Sequence, residues 1–319
     1  MSSKHIQINP ILKKELMVGS RNMKMSWAIF GLNAFLSVIA VVTMYSLELN
    51  AEYSGYNYAN LVSLFPILGI VECVILSLVI PIITSGSISG ERERQTLDIM
   101  LTTPVKPFPI ALGKLGSALM RVMMYMISSI PVLSIAFILG GLNWASLFGL
   151  IVMMLYIGIY VGSIGIFCSS AVKKSVAATV LTMLISWAVT LLTILLFAML
   201  LSIKTMLVVG SGTYSISIVY EPLILMLNPY APVVDFFLQS CSSIGVYDIL
   251  TDFVSAKGFP TVLRFIYQHW MVFSTVWNLL VSFGFLKLAA HNIAATHNHK
   301  VKKQKSKDRD KSVDESRPM

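Results

Sequence analysis

The amino-acid sequence predicts an all-α integral membrane protein with six transmembrane helices, and three observations carry that reading. Of its 319 residues, 56% are hydrophobic and only 12% charged, with a mean hydropathy of +0.77; a soluble domain carries about 25% charged residues. Apolar runs longer than about 18 residues recur along the chain, long enough to cross a bilayer as helices. Finally, all but three of the 24 Lys and Arg fall on one side of the arrangement those runs imply.

Taken in order, residues 1–25 form a polar leader. Within it, "NPILKKELMVGSRNMKM" sets Ile11, Leu12, Leu16 and Met17 against Lys13, Lys14, Arg21 and Lys24. That pattern suits a helix lying in the membrane interface; a flexible basic leader is the alternative. Because more than twenty polar or mixed residues precede the first apolar run, the segment reads as retained rather than as a cleaved signal. The body, 26–290, holds spans at about 26–47, 61–88, 112–139, 147–169, 177–201 and 268–290. The second is long enough to tilt or to continue beyond the membrane. Pro66, Pro81 and Pro131 sit inside spans, where neighbouring helices tolerate a kink.

Orientation follows from the positive charges. The leader, the 89–121 connection, the 170–176 loop and the tail hold the Lys and Arg, against only Lys204, Lys257 and Arg264 in the 202–267 loop. Both termini are therefore expected in the cytoplasm of a cell-membrane protein, with 202–267 extracellular. Of the three cysteines, Cys73, Cys168 and Cys241, only the last faces outward, so no disulfide framework is expected.

Between spans 2 and 3 the chain interrupts itself with "GERERQTLDIMLTTPVKPF", Gly90 to Phe108. Leu97, Met100 and Leu101 recur at i, i+3 and i+4 and so share one helical face. Arg94 and Asp98, four apart, can pair weakly on a polar face. Thr103 before Pro104 disfavours helix, and Pro107 and Pro109 keep the chain extended before the next helix. A short helix with an apolar stripe and a charged rim can lie in a groove of another protein. A solvated loop that only supplies positive charge is the alternative.

Gly90-Glu91, Thr96-Leu97-Asp98, Leu101-Thr102-Thr103-Pro104 and Gly113-Lys114 together resemble the signature between the second and third spans of ABC-2 type transporter permeases. The sequence departs from that pattern at Gln95, where glycine is usual, and at Asp98, where glutamate is. Gln95 is expected to make the helix more continuous. The six-span plan, the amphipathic start and the large loop before the last span agree at lower specificity. The resemblance implies that 89–111 is a cytoplasmic coupling segment docking on a separate ATP-hydrolysing subunit. Gly90, Glu91, Arg92, Arg94, Thr96, Leu97, Asp98, Met100, Leu101 and Pro104 would then form the ATPase-coupling interface. It also implies a second permease subunit, identical or homologous, and short outer helices that close the exit path.

The chain carries no motor of its own. No Gly-x4-Gly-Lys-Ser/Thr loop is present, and "GSGTY" at 210–214 lacks the lysine. No zinc-protease, nucleophile-elbow or Cys-x-x-Cys motif appears either. The expected chain is therefore not an enzyme and holds no cofactor; ATP and Mg belong to the partner. His291, His297 and His299 lie on a polar tail, and no metal site is assigned to them.

Several other residues carry competing readings. Glu72 is the only acidic residue deep inside a span. Such a carboxylate is costly and marks either a translocation path for a cationic or polar substrate or a protonated group bonded to a neighbouring helix. Gly158, Gly162, Gly165 and Ser169 form a small-residue stripe for close helix approach, within the subunit or across a dimer. "EPLILMLNPYAPVVDFF" is too broken by Pro222, Pro229 and Pro232 to span and fits a re-entrant hairpin. Residues 244–256 resemble an amphipathic helix, with Val246, Ile249, Leu250 and Phe253 opposite Asp248 and Asp252. Trp270, near the outer end of the last span, reads as an interface anchor. The tail, 291–319, is charge-rich and expected to be disordered; its lysines can touch anionic lipid, and no nucleic-acid partner is assigned. The expected function is that of a permease subunit, an exporter more than an importer. A membrane scaffold and an intramembrane enzyme are the alternatives.

Overall fold

The protein is described from a computed structural model, which describes residues 23–54, 59–96, 107–140, 143–211, 221–242, 245, 246, 248 and 261–315. The expected interfacial helix before Met23, the coupling residues Leu97, Asp98, Met100, Leu101 and Pro104, and most of 244–256 lie outside them. The described residues form ten helices: α1 Met23–Ser54, α2 Ala59–Val62, α3 Leu64–Glu93, α4 Pro107–Gly140, α5 Trp144–Ala171, α6 Ser175–Ser211, α7 Pro222–Leu225, α8 Ala231–Ser242, α9 Thr261–Gln268 and α10 Trp270–Glu315. Six contain stretches long and apolar enough to cross a membrane: Met25–Leu49, Leu64–Glu93, Pro107–Gly140, Trp144–Ala171, Ser175–Met206 and Trp270–Ala295.

Helix α5 is the hub. The most apolar window of its span is 72% buried, against 17% for those of α1 and α6, so α5 is enclosed by protein while the other two present most of their surface outward. It packs on α3 and α10 over long seams and also against α4 and α6. Leu36, Phe65, Leu76, Ile80, Val122, Met154, Ile157 and Val161 form the apolar core around it. Such packing costs nothing in lost helix contacts with lipid only where backbones approach closely, which the small residues of α5 permit.

The helices run further than hydropathy alone suggests. Helix α3 continues to Glu93 because "SISGERE" contains no proline to break it. Helix α4 starts at Pro107 rather than near residue 112, correcting the expectation of an extended proline stretch. A proline at the first helical position loses no hydrogen bond and has a suitable φ. Pro66 is likewise harmless, sitting in the first turn of α3, which leaves only Pro81 and Pro131 as interior prolines. Helix α10 runs on to Glu315, across the segment expected to be a disordered tail; no glycine or proline interrupts 285–315.

Gln95 also differs from expectation. Instead of extending α3, it ends it, with φ at 58°. Arg94 is the cap, the Thr96 amide donates to the Glu91 carbonyl at 3.0 Å, and the Gln95 amide donates to the Arg92 carbonyl at 3.2 Å. Those two bonds are the paired closure of a Schellman end, which needs one left-handed residue and usually takes glycine there. A side chain in that conformation costs about 1 kcal/mol. Gln95→Gly is therefore expected to stabilise the protein by about 1 kcal/mol, read as a higher unfolding midpoint of the purified chain.

At the opposite end, the segment after α6 returns between helices. Asn228, 3% exposed, donates to the Thr193 hydroxyl at 3.0 Å, and the Met226 carbonyl accepts from Ser274 and Asn278 of α10, both at 3.1 Å. Thr193 lies about 20 Å below Met206 along α6, at 1.5 Å per residue. The elbow of α7 and α8 thus dips well below the end of the helix it follows. Trp270 does not anchor an interface. It is 2% exposed and packs inward with Tyr267 and Leu263, because the face of α10 that bears it turns towards α9.

Candidate coupling site

The charged turn "GERE" at the end of α3 distributes its side chains to three other helices. Glu91 meets Lys114 of α4, Oε1 to Nζ 2.5 Å; the lysine side chain is 5% exposed and the glutamate 26%. Arg92 donates to the Val172 and Ser170 carbonyls at 3.3 and 3.2 Å. These lie at the C-terminal end of α5, where the last carbonyls have no helical partner and the helix dipole is negative. Glu93 does the converse at α6. Its two oxygens accept from the Ser175 amide at 2.8 Å and the Ser175 hydroxyl at 2.9 Å. Each charge meets the helix end whose dipole favours it.

Hydroxyls continue the joint towards the core. The Ser169 hydroxyl of α5 accepts from the amides of Ile88 and Ser89, both at 2.9 Å. Ser85 and Thr179 pair between α3 and α6, and Asn292 of α10 donates to Ser170 at 3.2 Å. Five helices therefore meet at this end, α3 bonding to α4, α5 and α6 directly and α10 joining through Ser170 of α5. A side chain that inserts into a helix's hydrogen-bond ladder, as Ser169 does in α3, is also where a helix bends most readily.

The residues expected to form an ATPase-coupling interface separate into two groups. Glu91 and Arg92 point into the bundle, and Gly90 lies beside Ser175, whose hydroxyl would be 3.5 Å from an added Cβ. Arg94, Gln95 and Thr96 are exposed where the chain leaves α3. Sequence reasoning missed Glu93 and Ser175, and it placed Lys114 in the motif without a role. The two glycine-led dipeptides of the motif, Gly90-Glu91 and Gly113-Lys114, are brought together by one ion pair.

The glycine stripe of α5 is filled by this chain's own helices. An added Cβ at Gly158 would come within 2.9 Å of Leu119, and at Gly162 within 2.7 Å of Leu115. At Gly165 it would overlap Thr84 of α3. Those positions face α3 and α4 and leave no open side for a second subunit. Glu72 is 1% exposed on α3 and accepts a hydrogen bond from Ser129 of α4. Its other oxygen has no partner among the described residues. Among those residues, no three His, Cys, Asp or Glu side chains gather where they could hold a metal.

Comparison with known proteins agrees with this anatomy. A family model described as "ABC-2 family transporter protein" matches residues 10–285. No curated protein matches the chain.

Proposed function

Because the chain belongs to the ABC-2 family of transporter proteins, we propose that it is a permease subunit moved by ATP hydrolysis in a separate ATP-binding subunit, with the Glu91 end facing the cytoplasm. The observation that carries this reading is the joint at the end of α3. One short charged turn grips α4, α5 and α6 at once, so a push on the exposed chain beyond Arg94 reaches four spans through direct contacts. Docking on the ATPase is assigned to Arg94, Thr96, Leu97, Asp98, Met100, Leu101 and Pro104. Transmission is assigned to Glu91, Arg92 and Glu93. The division separates two jobs that the motif alone left merged.

The proposed direction is export, through a pair of permease subunits in the cell membrane. Nothing about the stripe on α5 favours it as their interface, so the pairing surface belongs to the outward faces of α1, α6 or α10. Glu72 sits at the α3–α4 seam, between the two helices that flank the coupling segment. Parting that seam would bare its second oxygen to a permeating polar group.

Affinity purification of the solubilised full chain tests the docking half. The wild-type protein is expected to bring down an ATPase. Asp98→Lys is expected to lose it, because a reversed charge on a docking surface removes its favourable contact and adds a repulsive one. Glu91→Gln is expected to retain it. If the wild type brings down no ATPase, or if Asp98→Lys retains it fully, the docking assignment is wrong.

A further inference from the structure

At the end of the molecule away from the Glu91 joint, α8 and the junction of α9 with α10 line a half-open cavity of about 140 Å³. Its walls include Asp235, Gln239, Tyr267, Gln268, His269 and Trp270. A site of that size holds several waters or one small polar head group.

Asp235 dominates its chemistry. The residue is 1% exposed. One of its oxygens accepts from the Val246 amide at 2.7 Å and the other from the Gln239 amide at 3.0 Å. No Lys or Arg pairs with it among the described residues. Burial pushes its carboxyl above the usual range, with Asp248 nearby adding to the effect and the two hydrogen bonds opposing it. A buried carboxylate without a cation is costly, and each oxygen keeps a lone pair for a further donor.

The second feature is Trp270. It is 2% exposed, and its indole N–H has no partner among the described residues. Orphaned buried donors are rare and call for an occupant. Its ring lies 5.7 Å from that of Tyr267, centroid to centroid, so the same wall offers aromatic faces that attract a cation.

We infer that this cavity binds a primary ammonium group carried on a small head that also bears a hydrogen-bonding oxygen. The ammonium would lie against Asp235 and the aromatic wall, and the oxygen would accept from the Trp270 indole. An anion is disfavoured by the carboxylate. An aminoalcohol head meets both demands, and it has two sources: a phosphatidylethanolamine head group at the membrane surface, or a free soluble amine. This inference stands apart from the transport reading, since it needs no ATPase.

The test uses the full chain in phosphatidylcholine nanodiscs, with thermal unfolding as the readout. Free ethanolamine is expected to raise the midpoint in a saturable manner, while ethylene glycol leaves it unchanged. Asp235→Asn, whose carbonyl can still accept from the Val246 amide while Gln239 turns its own carbonyl to the new NH2, is expected to weaken the response at least about tenfold, the scale of a lost charge-assisted contact. Trp270→Phe keeps the packing and removes only the N–H, and it should weaken binding more mildly. If discs containing phosphatidylethanolamine show the raised midpoint and no further response to ethanolamine, the lipid is the source. If they behave like phosphatidylcholine discs and still respond to ethanolamine, a soluble amine is. An equal response to ethanolamine and ethylene glycol overturns the inference, as does an undiminished response in Asp235→Asn. Should that variant not fold, an undiminished response in Trp270→Phe overturns it.

Discussion

Glu91→Leu is expected to destabilise the protein by about 2 kcal/mol and to abolish ATP-driven transport while leaving the ATPase bound. The size follows from what is left behind. Removing one member of a buried ion pair costs about 3–5 kcal/mol, because the other charge stays desolvated. Lys114 is nearly fully enclosed, but Glu91 is a quarter exposed, so water reaches part of the gap and the cost falls below that range, to about 2 kcal/mol. Unfolding of the purified chain measures the first effect, and flux in vesicles with the partner ATPase measures the second. Glu91→Lys should be worse than leucine, since it sets two ammonium groups at hydrogen-bonding distance. Exchanging the pair, Glu91→Lys with Lys114→Glu, should recover part of the stability. A Glu91→Leu protein with normal unfolding and normal flux would show that the pair neither holds nor transmits.

The contrast with Asp98→Lys is what makes the result informative. If the motif were only a docking surface, both variants would lose the ATPase. On the proposed division of roles they fail differently, one uncoupled and one unpartnered. That difference is invisible in the sequence, where Glu91 and Asp98 are two acidic residues in one short charged run.

What the sequence made legible was governed by hydropathy. The spans were readable because a bilayer forces every crossing segment to be long, apolar and internally hydrogen-bonded. Their ends were not, since helix continues past the apolar boundary wherever no breaker stops it, as in "SISGERE" and from Ala289 onwards. Within the family signature, the residues that turn into the bundle, Glu91 and Arg92, could not be told from the exposed Arg94 and Thr96. Arg92 finds its carbonyls some 80 residues along the chain, and no local pattern encodes that meeting. Gln95 misled for a different reason: helix propensity favours glutamine over glycine, yet the closure of α3 requires a left-handed residue there whatever its identity. Trp270 misled because aromatic belts describe residues that face lipid, and at the first turn of α10 that face is covered by α9.

The glycine stripe yields the other large effect. Gly165→Ala is expected to cost about 2–3 kcal/mol, at the upper end for inserting one methyl group into a packed interior. Ordinarily a helical Gly→Ala change gains up to about 1 kcal/mol from reduced backbone entropy, so the sign itself is diagnostic. The new methyl would fall on Thr84, whose Cβ lies 2.8 Å from the built position. Thr84 cannot swing aside, because a β-branched side chain in a helix has few rotamers and its hydroxyl donates to the Ile80 carbonyl at 2.9 Å. The backbones of α3 and α5 must therefore part. Thr84→Ala removes the obstructing atoms but not the Cβ, so adding it to Gly165→Ala should restore about half of the loss, a coupling of roughly 1 kcal/mol between residues in contact. Unfolding of the four proteins in the cycle measures this. Gly165→Ala alone matching or exceeding wild-type stability would show that α3 and α5 are not closely packed at this level. Strict additivity would place the strain at some neighbour other than Thr84. Because the joint at Glu91 hangs from the same α3, a parted seam should also lower flux, and Thr84→Ala should restore flux in step with stability.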